Sequence, residues 1–353
     1  MPTINMRSCA NLIKGQGVGS CFDEQVRLVS DGLGPGFSVH VNSRVKSDII
    51  HYHTVNPNYY IERIIKKHKT AGIGYVHFLP DTLEESLDLP FIFKKMFYRY
   101  LLGFYNSMDY LVTVNPCVIP KLRDYGVTKP KIVYIPNFVS EQKFYPQEPE
   151  TVATTKVKYG LPLNKFTVMG AGQLQIRKGV LDFVKTAECT PEVQFVWAGG
   201  FSFGKITDGY EQIRKIMDNP PPNLQFLGII PREEMPDVYN MADMFFLPSY
   251  DELFPMSILE AMCCKKPILL RDIDIYPDIL FDSYAKGKDV EAFSQVIQSM
   301  QQSPALVAQW KDKVWKCHLY YSEEHILAMW RQMYAEAYGK LKSEEVLITE
   351  GNA

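Results

Sequence analysis

The sequence predicts an α/β protein built from two doubly wound parallel domains. Three observations carry this. The chain has 353 residues, which at roughly 100–200 residues per domain makes two domains. Short apolar runs alternate with helical patterns along most of its length, the mark of strands and crossover helices feeding a parallel sheet. The stretch 140–162 is polar, with Pro146 and Pro149, and separates the alternation into two blocks.

Taken in order, 3–10 (TINMRSCA) reads as a short buried strand that runs into a glycine-rich loop, Lys14-Gly15-Gln16-Gly17-Val18-Gly19-Ser20. A helical pattern with Phe22, Val26, Leu28 and Val29 follows. Strands are expected at 37–43, 48–53, 72–79, 109–115 and 131–137, with helices over 59–69, 89–107 and 117–125. In the second block strands recur at 166–172, 193–200, 224–228, 244–249 and 266–272, with helical stretches between them. The last helical segment spans roughly 322–342 and precedes a polar end. The expected organisation is a first domain over 1–138, a second over 139–320, a helix over 321–342 crossing back to the first domain, and a flexible tail over 343–353.

Composition narrows the function. With 46% hydrophobic residues, 22 Gly and 23 Pro, the chain resembles a packed globular protein, not a disordered or fibrous one. A net charge of −2 argues against a general nucleic-acid-coating role. The opening residues lack the apolar core of a signal peptide. No run of about 18 apolar residues is free of charge, so a spanning helix is not expected. The seven cysteines include no CxxC pair and read as reduced thiols.

Ligands of doubly wound folds bind outside the carboxyl ends of the strands, so the loops after strands carry the information, and two facing sheets would define a cleft. The first such loop brings Gly15, Gly17 and Gly19 to a helix N-terminus, where close backbone approach and free amides favour an anion. A dinucleotide fingerprint would need glycine where Ser20 stands and an acid near the end of the next strand, and neither is present. The second loop, Gly170-Ala171-Gly172-Gln173-Leu174-Gln175-Ile176-Arg177-Lys178-Gly179, places a guanidinium and an ammonium just before a helix. That combination suits a diphosphate. The third follows the strand ending in Ser249 and carries Glu252 in the loop and Glu260 in an early helical turn. There, carboxylates can accept hydrogen bonds from ligand hydroxyls. His51, His53 and His77 end strands, but they lack the spacing and the carboxylate or cysteine partners of a metal site.

These motifs carry a resemblance. A strand followed by Gly-x-Gly and Arg177-Lys178-Gly179, then Glu252 and Glu260 with seven residues between them, ending in Leu259-Glu260-Ala261-Met262, resembles the retaining nucleotide-sugar glycosyltransferases of family 4. Ile135-Pro136-Asn137 is similar to that family's domain junction. More narrowly, the glycine-rich start and Gly172-Gln173-Leu174-Gln175-Ile176-Arg177-Lys178-Gly179 resemble Gram-positive enzymes that add a second sugar to a glycosyl-diacylglycerol, making the glycolipid anchor of lipoteichoic acid. The resemblance covers nearly the whole chain. It implies the GT-B fold, two Rossmann-like domains facing across a cleft, and hexose transfer from UDP-galactose or UDP-glucose with retention and without a metal or other cofactor.

Residue by residue, the resemblance assigns Gly17 to the donor diphosphate or the reacting sugar, Arg177 and Lys178 to the diphosphate, Glu252 to hexose hydroxyls and Glu260 to the ribose. Gly172, Gln173, Phe254, Pro255 and Met256 line the same donor, and His77 lies near the acceptor and the transferred sugar. Two departures stand out. Gln173 occupies the place of a usual arginine, which Arg177 would replace. Leu253-Phe254-Pro255 replaces Gly-Phe-Gly, and Pro255 has no amide to offer.

Two segments suggest an anionic membrane as partner. In 59–69, Tyr60, Ile61, Ile64, Ile65 and His68 share one helical arc, flanked by Arg63, Lys66 and Lys67. Packing of this arc on the sheet is the expected use. In 91–105, Phe93, Met96, Phe97, Tyr100, Leu101 and Phe104 oppose Lys94, Lys95 and Arg99, with Phe91, Tyr98 and Leu102 intruding on the basic side. An aromatic, basic helix of this kind can lie in a lipid interface. The expected location is the cytoplasmic face of the plasma membrane, peripherally bound, with no nucleic-acid partner. A soluble sugar or protein acceptor, and a silent nucleotide-sugar-binding subunit, stay open on the sequence alone.

Overall fold

A computed structural model describes residues 1–10, 17–77, 79, 91–201, 204 and 207–350, with the backbone alone at 91–94 and 345–350. The chain forms two compact units. One comprises the described residues of 1–83, 89–138 and 323–353, the other those of 139–322. Each holds a six-stranded, all-parallel sheet.

In the first unit the strands are β1 (Thr3–Arg7), β2 (Ser38–Val41), β3 (Ile49–Tyr52), β4 (Ala71–Val76), β5 (Tyr110–Thr113) and β6 (Lys131–Tyr134), in the order β2-β1-β3-β4-β5-β6. Strands buried on both faces read as continuous apolar runs, and β3, β4 and β5 are buried at every position. The helices are α1 (Gly17–Gly32), α2 (Pro57–Lys66), α3 (Phe91–Asn106) and α4 (Val118–Asp124). The final helix, Glu323–Glu350, also belongs to this unit. Its Tyr334 hydroxyl lies 2.9 Å from His51 Nδ1, its Arg331 donates to the Gly32 carbonyl at 2.9 Å, and Glu323 pairs with Arg27 of α1 at 2.5 Å. The helix runs unbroken to Glu350, so it does not close near 342 as expected, and 343–350 are helical.

Helix α2 reverses the expected orientation. Its buried residues are Tyr59 and Arg63, while Ile61, Ile64 and Ile65 are 59%, 58% and 71% exposed. The periodicity was sufficient to group the isoleucines, and the grouped face points outward. The reason is Arg63, which is wholly buried. Its guanidinium donates to Ser107 O at 2.8 Å, Thr70 O at 3.0 Å and Asp109 Oδ2 at 2.7 Å, and Asp109 also accepts from the Gly72 amide at 2.7 Å. A side chain on Gly72 would meet this guanidinium at 2.6 Å. Arg63 is therefore a polar core pin, not a flanking surface cation.

In the second unit the strands are β7 (Thr167–Ala171), β8 (Gln194–Ala198), β9 (Leu224–Gly228), β10 (Met244–Leu247), β11 (Ile268–Arg271) and β12 (Ala285–Gly287), ordered β12-β11-β10-β7-β8-β9. Phe183 packs edge-on against Phe195 and Trp197, at 5.4 and 5.0 Å, and stacks on Phe246 at 5.4 Å. The elements not anticipated lie in the polar stretch before β7 and between β11 and the final helix. The polar stretch before β7 contains the helix α5 (Pro149–Lys158), entered through a proline at its first position, where the missing N–H costs nothing. The short edge strand β12 has no apolar pattern to mark it. The helices α6 (Val180–Cys189), α7 (Tyr210–Asp218), α8 (Met235–Asn240), α9 (Met256–Cys263), α10 (Pro277–Leu280), α11 (Val290–Gln302) and α12 (Pro304–Tyr320) complete the unit.

The strand order reverses at β7, which lies between β8 and β10. Chains leaving β7 and β10 therefore part to opposite faces, and the crevice outside their carboxyl ends is the expected ligand position in an open α/β sheet. Those exits are the loops that carry Arg177, Lys178 and Glu252.

Candidate functional site

Beyond β7 the backbone is held by a glycine pair. Gly172 has φ +147° and Gly199 φ +144°, and a side chain on Gly199 would sit 1.9 Å from the Gly172 carbonyl oxygen. Trp197 Nε1 donates to that same oxygen at 3.1 Å. The chain then makes a single 3₁₀ turn, Ile176–Lys178, and enters α6 through Gly179 at φ +70°. A side chain on Gly179 would meet the Pro248 carbonyl oxygen at 2.2 Å. Glycine at 179 thus lets the two loops touch, and it sets Arg177 and Lys178 directly at the N-terminus of a ten-residue helix.

The loop after β10 meets them. The Tyr250 amide donates to Arg177 O at 2.9 Å, and Arg177 Nη1 donates to Asp251 O at 2.5 Å. Lys178 Nζ donates to Glu252 Oε1, and Arg177 Nη1 stands 3.9 Å from Glu252 Oε2. The Glu252 side chain is 6% exposed and that of Lys178 12%. Burial alone would raise the Glu252 carboxyl. Lys178 and Arg177 beside it, with hydrogen bonds from Lys178 and Ser249, hold it below the usual carboxylate range. Burial lowers Lys178 from its ordinary value, Glu252 opposes that, and Arg177 adds to it. Arg177 and Lys178 thus stand with Glu252 at a helix N-terminus, an arrangement of a kind that can receive an anion.

Gly172 and the half-buried Gln173 lie at the start of this loop. Phe254 points into the core, 5.0 Å edge-on from Tyr321, so its side chain serves packing. Pro255 caps α9 and Met256 opens it. Glu260 lies one turn further along and is 4% exposed. It does not stand alone: Arg232 Nη1 donates to its carboxylate, and the Arg232 guanidinium rests 4.7 Å above the Phe144 ring. Burial, together with this carboxylate, raises Tyr239 well above the usual phenol value. Arg232 is a site-adjacent residue that the sequence reading missed. Its only local signal is a basic residue in the loop after β9.

In the first unit, Gly17 is the first residue of α1, while Lys14, Gly15 and Gln16 of its loop lie outside the described residues. His77 follows β4 and stacks on Tyr75 at 4.4 Å. His51 and His53 are buried, 4.3 Å apart, and His53 is 5.8 Å from His77. Burial lowers His51 and His77 to about 3, His77 adding to the effect on His51. Burial, then His51 and His77, lowers His53 well below the ordinary histidine value. Burial therefore favours the neutral form of His77.

Between the lowered folded values and the unfolded value near 6.5 the unfolded chain binds more protons. Stability is complete above that value and falls as pH drops, by up to about 1.4 kcal/mol per pH unit for each histidine. The melting temperature should decline between about pH 7 and about pH 5, and His53→Phe should flatten the decline. A melting temperature flat over that range would contradict the burial assignment.

Among the described residues no group of three or more His, Cys, Asp or Glu side chains is placed to hold a metal ion. No helix among them is long and apolar enough to cross a membrane.

Residues 33–143 match the family model described as glycosyltransferase family 4, and residues 152–315 match that of the glycosyl transferases group 1. An alpha-galactosylglucosyldiacylglycerol synthase of Streptococcus pneumoniae is 45% identical over 331 residues, 94% of this chain and 88% of that protein. The chain is a family 4 glycosyltransferase. A processive diacylglycerol alpha-glucosyltransferase of Acholeplasma laidlawii is 27% identical, over 82% of this glycosyltransferase and 85% of its relative. Among solved structures, a sucrose-phosphate synthase from Thermosynechococcus elongatus superimposes with a TM-score of 0.80 at 15% identity, covering 96% and 100% of the two chains. Anabaena HepE in complex with UDP-glucose does so with 0.75 at 14% identity, covering 95% and 100%. At those identities the two structures establish the GT-B fold of the glycosyltransferase and nothing finer.

Proposed function

We propose that this glycosyltransferase moves a hexose, galactose or glucose, from its UDP conjugate to monoglucosyl-diacylglycerol with retention at the anomeric carbon. The product would be a diglycosyl-diacylglycerol of the kind that anchors lipoteichoic acid. The observation that carries the reading is the near full-length, 45% identity to a synthase of that product class. The second unit supplies chemistry to match.

In this reading Lys178, Arg177 and the N-terminus of α6 receive the diphosphate and stabilise it as it leaves. Glu252 holds hexose hydroxyls and Glu260 the ribose, with Gly172, Gln173 and the backbone at 254–256 alongside. Gly17 and His77 attend the reacting sugar and acceptor. The acceptor oxygen attacks on the face the diphosphate leaves, the bond to the diphosphate breaks, and the acceptor proton passes to a departing phosphate oxygen. The charge is met by side chains, without a metal or cofactor. Glu252 is not cast as a covalent nucleophile, because its carboxylate is already engaged by Lys178.

A lipid acceptor is favoured by the exposed isoleucines of α2. Ile61, Ile64 and Ile65 form one outward stripe with Lys67 exposed beside it. Tyr60 packs against Tyr100 and Phe104 of α3, at 5.7 and 5.8 Å, so the two helices are neighbours. On α3, Lys95, Met96 and Arg99 are exposed. Apolar side chains ringed by cations suit the interface of an anionic bilayer on the cytoplasmic face, where each cation contributes about 1 kcal/mol. Replacing Ile61, Ile64 and Ile65 together by serine should weaken flotation with phosphatidylglycerol vesicles by about tenfold or more. Unchanged flotation would remove α2 from the membrane surface.

The test of function is a donor screen. The protein is incubated with UDP-galactose or UDP-glucose and vesicles containing monoglucosyl-diacylglycerol. A diglycosyl lipid with a new α linkage is expected from one of them. Transfer only to a water-soluble acceptor, or UDP binding without transfer, would overturn the reading.

A further inference from the structure

The two donor loops are joined by a third element that no motif announced. Arg271 ends β11, 89 residues from its partner Asp182 in the first turn of α6. Its guanidinium uses each nitrogen on a different target. Nε donates to Pro248 O at 3.0 Å, Nη1 to Lys288 O at 2.8 Å, and Nη2 to the Asp182 carboxylate. Its plane lies 3.9 Å from the centre of the Tyr250 ring, and the Tyr250 hydroxyl donates to the same Asp182 carboxylate at 2.6 Å.

The arrangement grips both loops at once. Asp182 lies four residues after Lys178 on α6. Pro248 and Tyr250 precede Glu252, and the Pro248 carbonyl is the atom against which Gly179 is pressed. Among the described residues Arg271 makes no hydrogen bond or ion pair to Arg177, Lys178 or Glu252, yet it ties down the segment after the first two and the segment before the third. The guanidinium is nearly enclosed, its side chain being 11% exposed and that of Asp182 15%. The planar fork is what makes this possible, since an ammonium cannot serve three divergent acceptors and stack on a ring together.

We infer that Arg271, through Asp182 and Tyr250, is a positioning residue that fixes Lys178 against Glu252 for the departing diphosphate. The inference rests on the assignment of Lys178 and Glu252 to the donor. Misplacement of a charged group by about 1 Å can cost on the order of 100-fold in rate. Arg271→Met should therefore lower kcat/KM roughly 10- to 100-fold, although it removes no group that meets the substrate.

The experiment is a cycle of wild type, Arg271→Met, Lys178→Ala and the double variant, read as kcat/KM for UDP-sugar. If Arg271 acts by placing Lys178, its effect collapses to within about threefold once Lys178 is gone. A merely structural role would multiply through undiminished, and that result would overturn the inference while leaving the donor assignment intact. Lys178→Ala without effect would instead remove the donor assignment, and the inference with it. Should Arg271→Met fail to fold, Tyr250→Phe deletes only the bond from a half-exposed ring to Asp182. About a threefold or larger loss, present with Lys178 and absent without it, is then expected. A Tyr250→Phe enzyme equal to wild type would count against the grip.

Discussion

Lys178→Ala is expected to lower kcat by about 10²–10³-fold, the range seen when one pre-oriented group that meets developing charge is removed. The ammonium is held against Glu252, largely out of water and at the head of α6. A charge fixed there needs no reorganisation when the diphosphate departs, and the low local dielectric raises its worth. The same substitution strands Glu252. With its main cation gone, burial is opposed only by Arg177 and the remaining hydrogen bonds, and the carboxyl moves upward toward protonation. Breaking a buried pair from one side costs about 3–5 kcal/mol before such relief. Glu252→Gln in the Lys178→Ala background separates the two effects. It should restore melting temperature and not rate. Initial rates with saturating acceptor check the first prediction, and a kcat within about threefold of wild type would contradict it.

The second large effect concerns folding. Arg63→Met should destabilise the first unit by about 3–5 kcal/mol, because Asp109 and the carbonyls of Thr70 and Ser107 lose a shared donor in the core. For a unit of this size that amounts to a fall of roughly 10 °C in melting temperature. Arg63→Lys should recover only part of it, since one ammonium cannot reach acceptors spread around a guanidinium. The exposed cation that follows this helix gives a contrast: Lys67→Met should leave melting unchanged within about 0.5 kcal/mol. Thermal unfolding followed by circular dichroism checks both. Equal behaviour of the two substitutions would deny Arg63 its place in the core.

Much of the architecture was legible because parallel strands covered on both faces are short apolar runs. VQFVWAGG and MFFLPS show themselves without any partner. Helix α5 was hidden because ETVATTKVK presents no apolar stripe, and β12 because Ala-Lys-Gly carries no pattern. In α2 the period gathered the isoleucines correctly but could not say which arc faces the sheet. Arg63, with acceptors contributed from up to 46 residues away, decided that. The cations at 177 and 178 and the acids at 252 and 260 were legible as features of loops after strands. Their pairing partners were not. Arg232 with Glu260 and Arg271 with Asp182 depend on how distant loops come into register, and neither spacing leaves a trace along the chain.

The central claim is that Arg177, Lys178 and Glu252 form the seat of the activated sugar. A crystal structure of the protein with UDP-galactose or UDP-glucose measures it most directly. Diphosphate oxygens are expected within hydrogen-bonding distance of Lys178 Nζ and the Arg177 guanidinium, with Glu252 turned to the hexose. A donor bound elsewhere, with the Lys178–Glu252 pair closed and untouched, would contradict it.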